Sequence, residues 1–257
     1  MSPSQPTPWE IFLGEAAAVG LNLCYVVRRP PIDAAFHKRI ENQKHSPGRF
    51  IPPESHLPEY KSAILLGSGG REFWEAFQAA PEATDGRPDP LDRFAVRQVE
   101  GLGDKLRGQD PHLVTAYPFH HTRQIIPFLA LIEHTGLSGP SPFGVSVHPQ
   151  YGPWFAWRGL VLSQIDWPDT PMPTDNPCLS CAQDRAPPCL AACPAEAAQI
   201  TGLVWEKCLT MRKQDTPCQR ACAARAACVI APEHQYGPLQ TAHHAAASYR
   251  EIKKMEL

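Results

Sequence analysis

Cysteine is almost missing from the first two thirds of this 257-residue chain, where Cys24 stands alone ahead of Cys178. A scaffold stapled throughout by disulfides is thereby excluded for that portion. Long apolar runs are missing too: none reaches the ~18 residues that span a bilayer, so no membrane partner is expected. There is no excess of charge, with 24 Lys and Arg against 26 Asp and Glu, a net −2 and a pI of about 6.6. That balance offers no basic field for nucleic acid or an anionic lipid surface. The start, MSPSQPTPWE, lacks the basic residues and apolar run of a secretory signal, so a cytoplasmic protein is expected. Internal repeats and low-complexity tracts are also absent.

What is present is concentrated. Eight of the nine cysteines fall between Cys178 and Cys228, and in a reducing compartment such clusters are more often ligands than disulfides. The 29 prolines are about twice the usual share of roughly 5%. They lie mostly between apolar segments and imply stiff connections. The chain is long enough for one large domain, or for one domain with a small appendage.

Apolar periodicity predicts a helix over residues 8–19, with Thr7 as N-cap and Gly20 closing it, then a strand over 21–27. Residues 28–60 form a connection long enough to be a functional flap; its His37, His45 and His56 lack metal-ligand spacing. A buried strand is expected at 63–66, followed by Gly67-Ser68-Gly69-Gly70, read as a tight turn or a phosphate cradle. Helices are expected over 71–78, from Pro90 to about 105, and over 122–134, with a strand at 113–117. A strand at 144–147 is expected to pair with 154–162 across His148-Pro149-Gln150-Tyr151-Gly152-Pro153. This alternation gives an α+β or α/β domain over 1–166, a proline-stiffened linker over 167–177, a cysteine module over 178–240 and a helical tail over 241–257.

The first four module cysteines read Cys178-x2-Cys181-x7-Cys189-x3-Cys193-Pro194, and Cys208, Cys218, Cys222 and Cys228 follow. In the bacterial two-cluster pattern the cysteine before proline serves the other cluster. The same crossing here gives one set of Cys178, Cys181, Cys189 and Cys228, and a second of Cys193, Cys208, Cys218 and Cys222. Seven residues separate Cys181 from Cys189 where two are usual, and a loop at Pro187-Pro188 can bulge to absorb the difference. Two [4Fe–4S] clusters are the leading reading. Four disulfides, two zinc sites, or a module with one cluster or none are the alternatives.

The string Phe143-Gly-Val-Ser-Val-His148-Pro149-Gln-Tyr151-Gly152-Pro-Trp154-Phe155-Ala-Trp-Arg158-Gly159 resembles the cblC-type vitamin B12 processing and trafficking proteins. Asp89-Pro90-Leu91-Asp92 resembles that family's D-P-V-D helix start, so the likeness covers roughly residues 60–165. The junction into the cysteine module resembles epoxyqueuosine reductases and corrinoid reductive dehalogenases. The resemblance implies a nitroreductase-like antiparallel or mixed sheet flanked by helices, with a small C-terminal ferredoxin-like iron–sulfur module.

It also implies cobalamin as ligand, with flavin as the alternative on the same scaffold. The implied cofactor contacts are Gly144, His148, Tyr151, Gly152, Trp154, Phe155 and Arg158. His148-Pro149 reads equally as a turn determinant, Phe155 as core and Arg158 as part of an ion pair. The related reductases place an acidic or tyrosyl proton donor upstream of the hairpin, where this chain has Tyr117, His120 and His121; imidazole and phenol are both proton donors. No D-x-H-x-x-G motif occurs, so cobalamin is expected without a protein histidine on cobalt. The short tail after the module is expected to lack a tRNA-binding extension. The expected function is reduction of cobalt or removal of an upper axial ligand of B12, served by an unidentified electron donor. Reduction of an organic substrate and a non-enzymatic metal carrier are the alternatives, and a homodimer is compatible with the scaffold.

Overall fold

The structure, a computed structural model, describes residues 5–29, 32–34, 37, 53–119, 128–173, 176–184, 186–214 and 217–253. The chain divides into two compact units, residues 1–135 with 156–172, and residues 136–155 with 173–257.

The first unit is built on a four-stranded sheet of order β1-β2-β4-β3, with β1 Leu23–Arg28, β2 Ser62–Gly69, β3 Val114–Ala116 and β4 Phe155–Ser163. β1 runs antiparallel to β2, with Tyr25 opposite Leu65, and β3 antiparallel to β4, with Thr115 opposite Val161. Every residue of β2 is buried, which is why it reads as a continuous apolar run and not as an alternation. Three helices cover the sheet: α1 Pro8–Ala18, α2 Glu72–Gln78 and α3 Pro90–Leu106. α1 starts at a reciprocal cap between Thr7 and Glu10, which satisfies two orphan amides. α3 buries Leu91, Phe94, Ala95, Val99, Leu102 and Leu106, the i, i+3, i+4 stripe of an amphipathic helix. Phe12, Phe73, Phe94 and Trp167 join that core, each worth ~2 kcal/mol of burial.

Several sequence expectations are corrected in this unit. Gly67, Ser68 and Gly69 are strand, because neighbours fill the space that a turn would leave open. The Trp157 ring lies against Gly67, and the Asn22 amide pairs with both backbone groups of Gly69 at 2.7 and 3.0 Å. With those amides engaged, no phosphate cradle forms there. β4 pairs in the sheet, while residues 144–147 form no strand; they contribute only an isolated bridge between Val147 and Gly139. The expected linker is also structured at its start. Trp167 stacks on Trp9 at 5.3 Å, and Thr170 Oγ1 accepts from the Val26 amide at 3.2 Å. Most of the expected flap lies outside the described residues.

The first unit also holds α4 Phe128–Thr135. The second unit contains residues 136–155 together with α5 Pro177–Asp184, α6 Pro188–Ala191, a two-residue ribbon of β5 Ala198–Gln199 and β6 Gly202–Leu203, α7 Trp205–Lys213, α8 Ala223–Ala226 and α9 Pro238–Lys253. Its core joins Phe143 and Val147 to Cys189, Ala198 and Ala224, with Cys178, Cys193, Cys228 and Ile230 packed around them. The motif segment 143–155 clusters with the cysteines. α9 is tied into the same unit, with Arg212 donating to Ser248 Oγ at 2.9 Å and to the Ala245 carbonyl at 3.3 Å.

Candidate functional site

Short helices and turns present the cysteines. Asn176 accepts from the Cys178 amide at 3.0 Å, a side-chain cap that fixes the start of α5 and sets Cys178 and Cys181 one turn apart. Cys189 lies in α6, Cys193 just beyond it, Cys208 in α7, Cys218 in the 3₁₀ turn Pro217–Gln219, and Cys222 and Cys228 on either side of α8. All nine cysteines are free thiols.

Cys178, Cys181, Cys189 and Cys228 line one cavity of about 20 Å³, closed by Pro142, Phe143 and Ile230 among others. Burial pushes the Cys178 thiol up to about 12, and Cys228, Cys189 and Cys181 add to the effect. Burial likewise raises Cys228, against an amide hydrogen bond from Ile230 and the nearby Arg225. Of the remaining four, three lie near Cys208, and one of these, Cys193, also packs on the core that holds Cys189. Burial raises Cys208, as do Cys222, Cys193 and Cys218, while Arg212 opposes them. Thiols in such surroundings are poor nucleophiles; bound metal would supply the positive charge that makes them thiolates.

Among the described residues no group of three or more His, Cys, Asp or Glu side chains is arranged to hold a single metal ion.

The motif residues are engaged in packing. Gly144 has φ +78°, and a Cβ there would lie 2.6 Å from Leu203 Cδ2; Gly152 has φ +57°, and a Cβ would lie 2.2 Å from the Ile230 carbonyl oxygen. Protein atoms thus fill the space a side chain would need at both glycines. His148 is buried, exchanges backbone hydrogen bonds with Gly152 at 2.8 Å and accepts at Nδ1 from the Gln150 amide at 3.1 Å. Desolvation lowers its pKa to about 4, so the ring is neutral. Tyr151 packs on His234 with centroids 4.6 Å apart, and His148 on Phe155 at 5.5 Å. Trp154 is stacked by the Arg225 guanidinium at 5.0 Å and meets Tyr236 edge-on at 5.6 Å; its indole nitrogen is buried with no hydrogen-bond partner. Arg225 also donates to the Pro153 carbonyl at 2.5 Å and lies over Tyr236, so one cation clamps the motif from the cysteine side.

Arg158 belongs to the first unit. It is buried, donates from Nε to Ser68 Oγ at 3.0 Å and stacks over Phe73 at 4.9 Å. Tyr117 is also in the first unit, buried, and its hydroxyl donates to Glu100 Oε1 at 2.7 Å, which accepts from Thr115 Oγ1 as well at 2.6 Å. Burial raises the Tyr117 pKa, and the Glu100 hydrogen bond adds to it while that of Thr115 opposes. Sequence reading missed Glu100, although Thr115 and Tyr117 alternate on one strand face and mark where a shared acceptor would sit. His120 and His121 lie outside the described residues.

No family model matches the chain, and no curated protein matches it in sequence. Solved structures do share its fold. An epoxyqueuosine reductase with an epoxyqueuosine-modified tRNA-Tyr stem loop superposes with a TM-score of 0.58 at 14% identity, over 90% of this chain and 68% of that one. The epoxyqueuosine reductase of Bacillus subtilis, with its catalytic loop swung out of the active site, gives 0.57 at 13% identity over 90% and 68%. The B12-trafficking protein CblC of C. elegans gives 0.50 at 13% identity, over 90% of this chain and 88% of that one. At these identities the likeness shows the fold: a mixed α and β chain with an antiparallel-paired sheet, as in epoxyqueuosine reductases and CblC proteins.

Proposed function

We propose that this protein is a corrinoid-linked redox protein whose C-terminal unit holds two [4Fe–4S] clusters, and that its substrate is cobalamin, reduced at cobalt or stripped of its upper axial ligand. The observation that carries the reading is the grouping of eight free cysteines into two neighbourhoods, four lining one small apolar cavity and four gathered around Cys208. The fold shared with a B12-trafficking protein supports cobalamin as the substrate.

Cys178, Cys181, Cys189 and Cys228 would hold one cluster, and Cys193, Cys208, Cys218 and Cys222 the other. When bound, such clusters supply one-electron transfer at a potential set by their surroundings. The chain's own part is to shape those surroundings. Pro142, Phe143 and Ile230 exclude water from the first set, and Arg225 and Arg212 place positive charge beside each set. Because Leu203 and Ile230 fill the spaces at Gly144 and Gly152, we read Gly144, His148, Tyr151, Gly152 and Trp154 as the clasp that fixes the cysteine unit. Arg158 and Phe155 are read as packing.

A second reading is supported by one finding: epoxyqueuosine reductases also share the fold, with TM-scores of 0.50–0.59 beside 0.50 for CblC. On that reading cobalamin is a resident cofactor and an organic molecule is reduced.

Anaerobic reconstitution with iron and sulfide, followed by titration with hydroxocobalamin, tests both. Roughly eight irons per chain, a broad band near ~400 nm and a shifted cobalamin spectrum are expected. Turnover that needs an added organic substrate would select the second reading, and an extracted flavin would replace the corrinoid. Purified protein carrying zinc without iron, with no cobalamin shift, would overturn both.

A further inference from the structure

Two arginines of the cysteine unit each carry a polar atom that the fold leaves unused. Arg212 stands four residues after Cys208 on α7, so the two side chains share one helix face. Arg225, in α8, stands three residues before Cys228, whose amide donates to the Arg225 carbonyl at 3.1 Å. Each guanidinium is fixed through its outer nitrogens or its face. In Arg212, Nη1 donates to Ser248 Oγ at 2.9 Å and Nη2 to the Ala245 carbonyl at 3.3 Å. In Arg225, Nη2 donates to the Pro153 carbonyl at 2.5 Å, and Cζ lies 5.0 Å from the Trp154 ring centroid and 4.8 Å from that of Tyr236. The Nε of both is buried and has no hydrogen-bond partner among the described residues.

A buried donor on a cation is costly to leave unmatched, and each such atom calls for an acceptor. Here the situation occurs twice, once beside each cysteine set. Arg212 opposes the burial that raises the Cys208 thiol, and Arg225 does the same at Cys228. The sulfurs of a cluster carry net negative charge and accept N–H donors, and those hydrogen bonds help to set its potential. We propose that the Nε–H groups of Arg212 and Arg225 each donate to sulfur of one cluster and thereby hold up the two reduction potentials separately. Arg212 serves the set of Cys193, Cys208, Cys218 and Cys222; Arg225 serves that of Cys178, Cys181, Cys189 and Cys228. The proposal rests on the reading that both sets hold clusters. On reduction each set takes one electron and gains one negative charge; no bond to iron is made or broken. A charge-assisted donor favours the more negative form and so raises the potential. A buried water would satisfy the same two nitrogens but would not tie them to the potential.

The test is an anaerobic titration of the reconstituted full chain with dithionite, followed by EPR of the reduced clusters, with iron content measured alongside. Arg212→Gln should lower one midpoint by about tenfold in the reduction constant, about 59 mV for one electron, and leave the other in place. Arg225→Gln should lower the other by a similar amount. Cys189→Ser and Cys208→Ser chains, each with one set intact, assign the midpoints: Arg212→Gln should shift the first of these chains and not the second. Lys at either position keeps the charge without the Nε donor and should recover no more than half of the shift. Where a Gln variant fails to retain iron, its Lys variant should still lower its own midpoint. Unmoved midpoints in iron-replete variants would overturn the proposal and leave these arginines a structural role. So would one arginine lowering both midpoints alike, or full recovery by Lys, since diffuse charge would then suffice. If no iron–sulfur band forms in the unaltered chain, the cluster reading itself fails, and this proposal with it.

Discussion

At Gly152 the left-handed backbone and the carbonyl of Ile230 leave no room for a side chain. Gly152→Ala should therefore cost about 2–4 kcal/mol, combining backbone strain with a clash against main chain that cannot rotate away. Denaturant unfolding followed through Trp fluorescence would read it. His148 gives a pH signature. Its folded pKa, about 4, lies below the ordinary value near 6.5, so the unfolded chain binds a proton that the folded chain refuses. The contribution is complete above about pH 6.5 and is lost as pH falls toward 4, by up to about 3 kcal/mol. His148→Asn, which keeps an acceptor for the Gln150 amide, should flatten the stability profile over that window. Sequence singled out these motif positions but not their partners. Leu203, Arg225 and Ile230 lie far along the chain, and nothing local to Gly144 or Gly152 says which distant atom fills the space.

The helix α3 meets strand β4 where Gly159 faces Val99: a Cβ at Gly159 would lie 2.8 Å from both Val99 methyls. Gly159→Ala should destabilise by about 1–3 kcal/mol through overpacking, and Val99→Ala by about 2 kcal/mol through the lost methyls. The double variant should be more stable than the sum of the two by more than 1 kcal/mol, since each change relieves the other. Thermal unfolding of all four proteins completes the cycle. Elements with a strong period were readable: α3 starts at the Pro90 that its sequence predicts, and β2 is the expected apolar strand, extended through Gly69. The failure at 144–147 has a physical origin. Apolar residues there suggested a strand, but Gly144 and Gly152 turn left-handed and Pro149 and Pro153 withhold ladder donors, so only isolated bridges form. β4 lies instead between β2 and β3, strands that the sequence marks but whose pairing with β4 no local pattern names.

For the whole molecule, the division after Thr135, Phe155 and Met172 separates what the sequence joined. Composition revealed where the cysteines gather. It could not reveal that Phe143 and Val147 complete their core, because a core is a set of contacts and not a stretch of chain. A fragment of residues 173–257 should therefore fail to fold, showing poor amide dispersion by NMR and, on the cluster reading, lower iron incorporation than the intact chain. On the cluster reading, Cys189→Ser and Cys208→Ser in the intact chain should each remove about half of the bound iron, because each disables one set of four.

The interruption of the second unit by residues 156–172 also bears on descent. A ferredoxin-like tail added by one end-to-end gene fusion would carry its whole core with it. Here part of the second unit's core, Phe143 and Val147, precedes residues 156–172 in the chain, so that unit cannot be exchanged at a single splice point. Within that unit a side chain at Gly144 would meet Leu203 and one at Gly152 the Ile230 carbonyl, so residues 136–155 and 173–257 are constrained as one body.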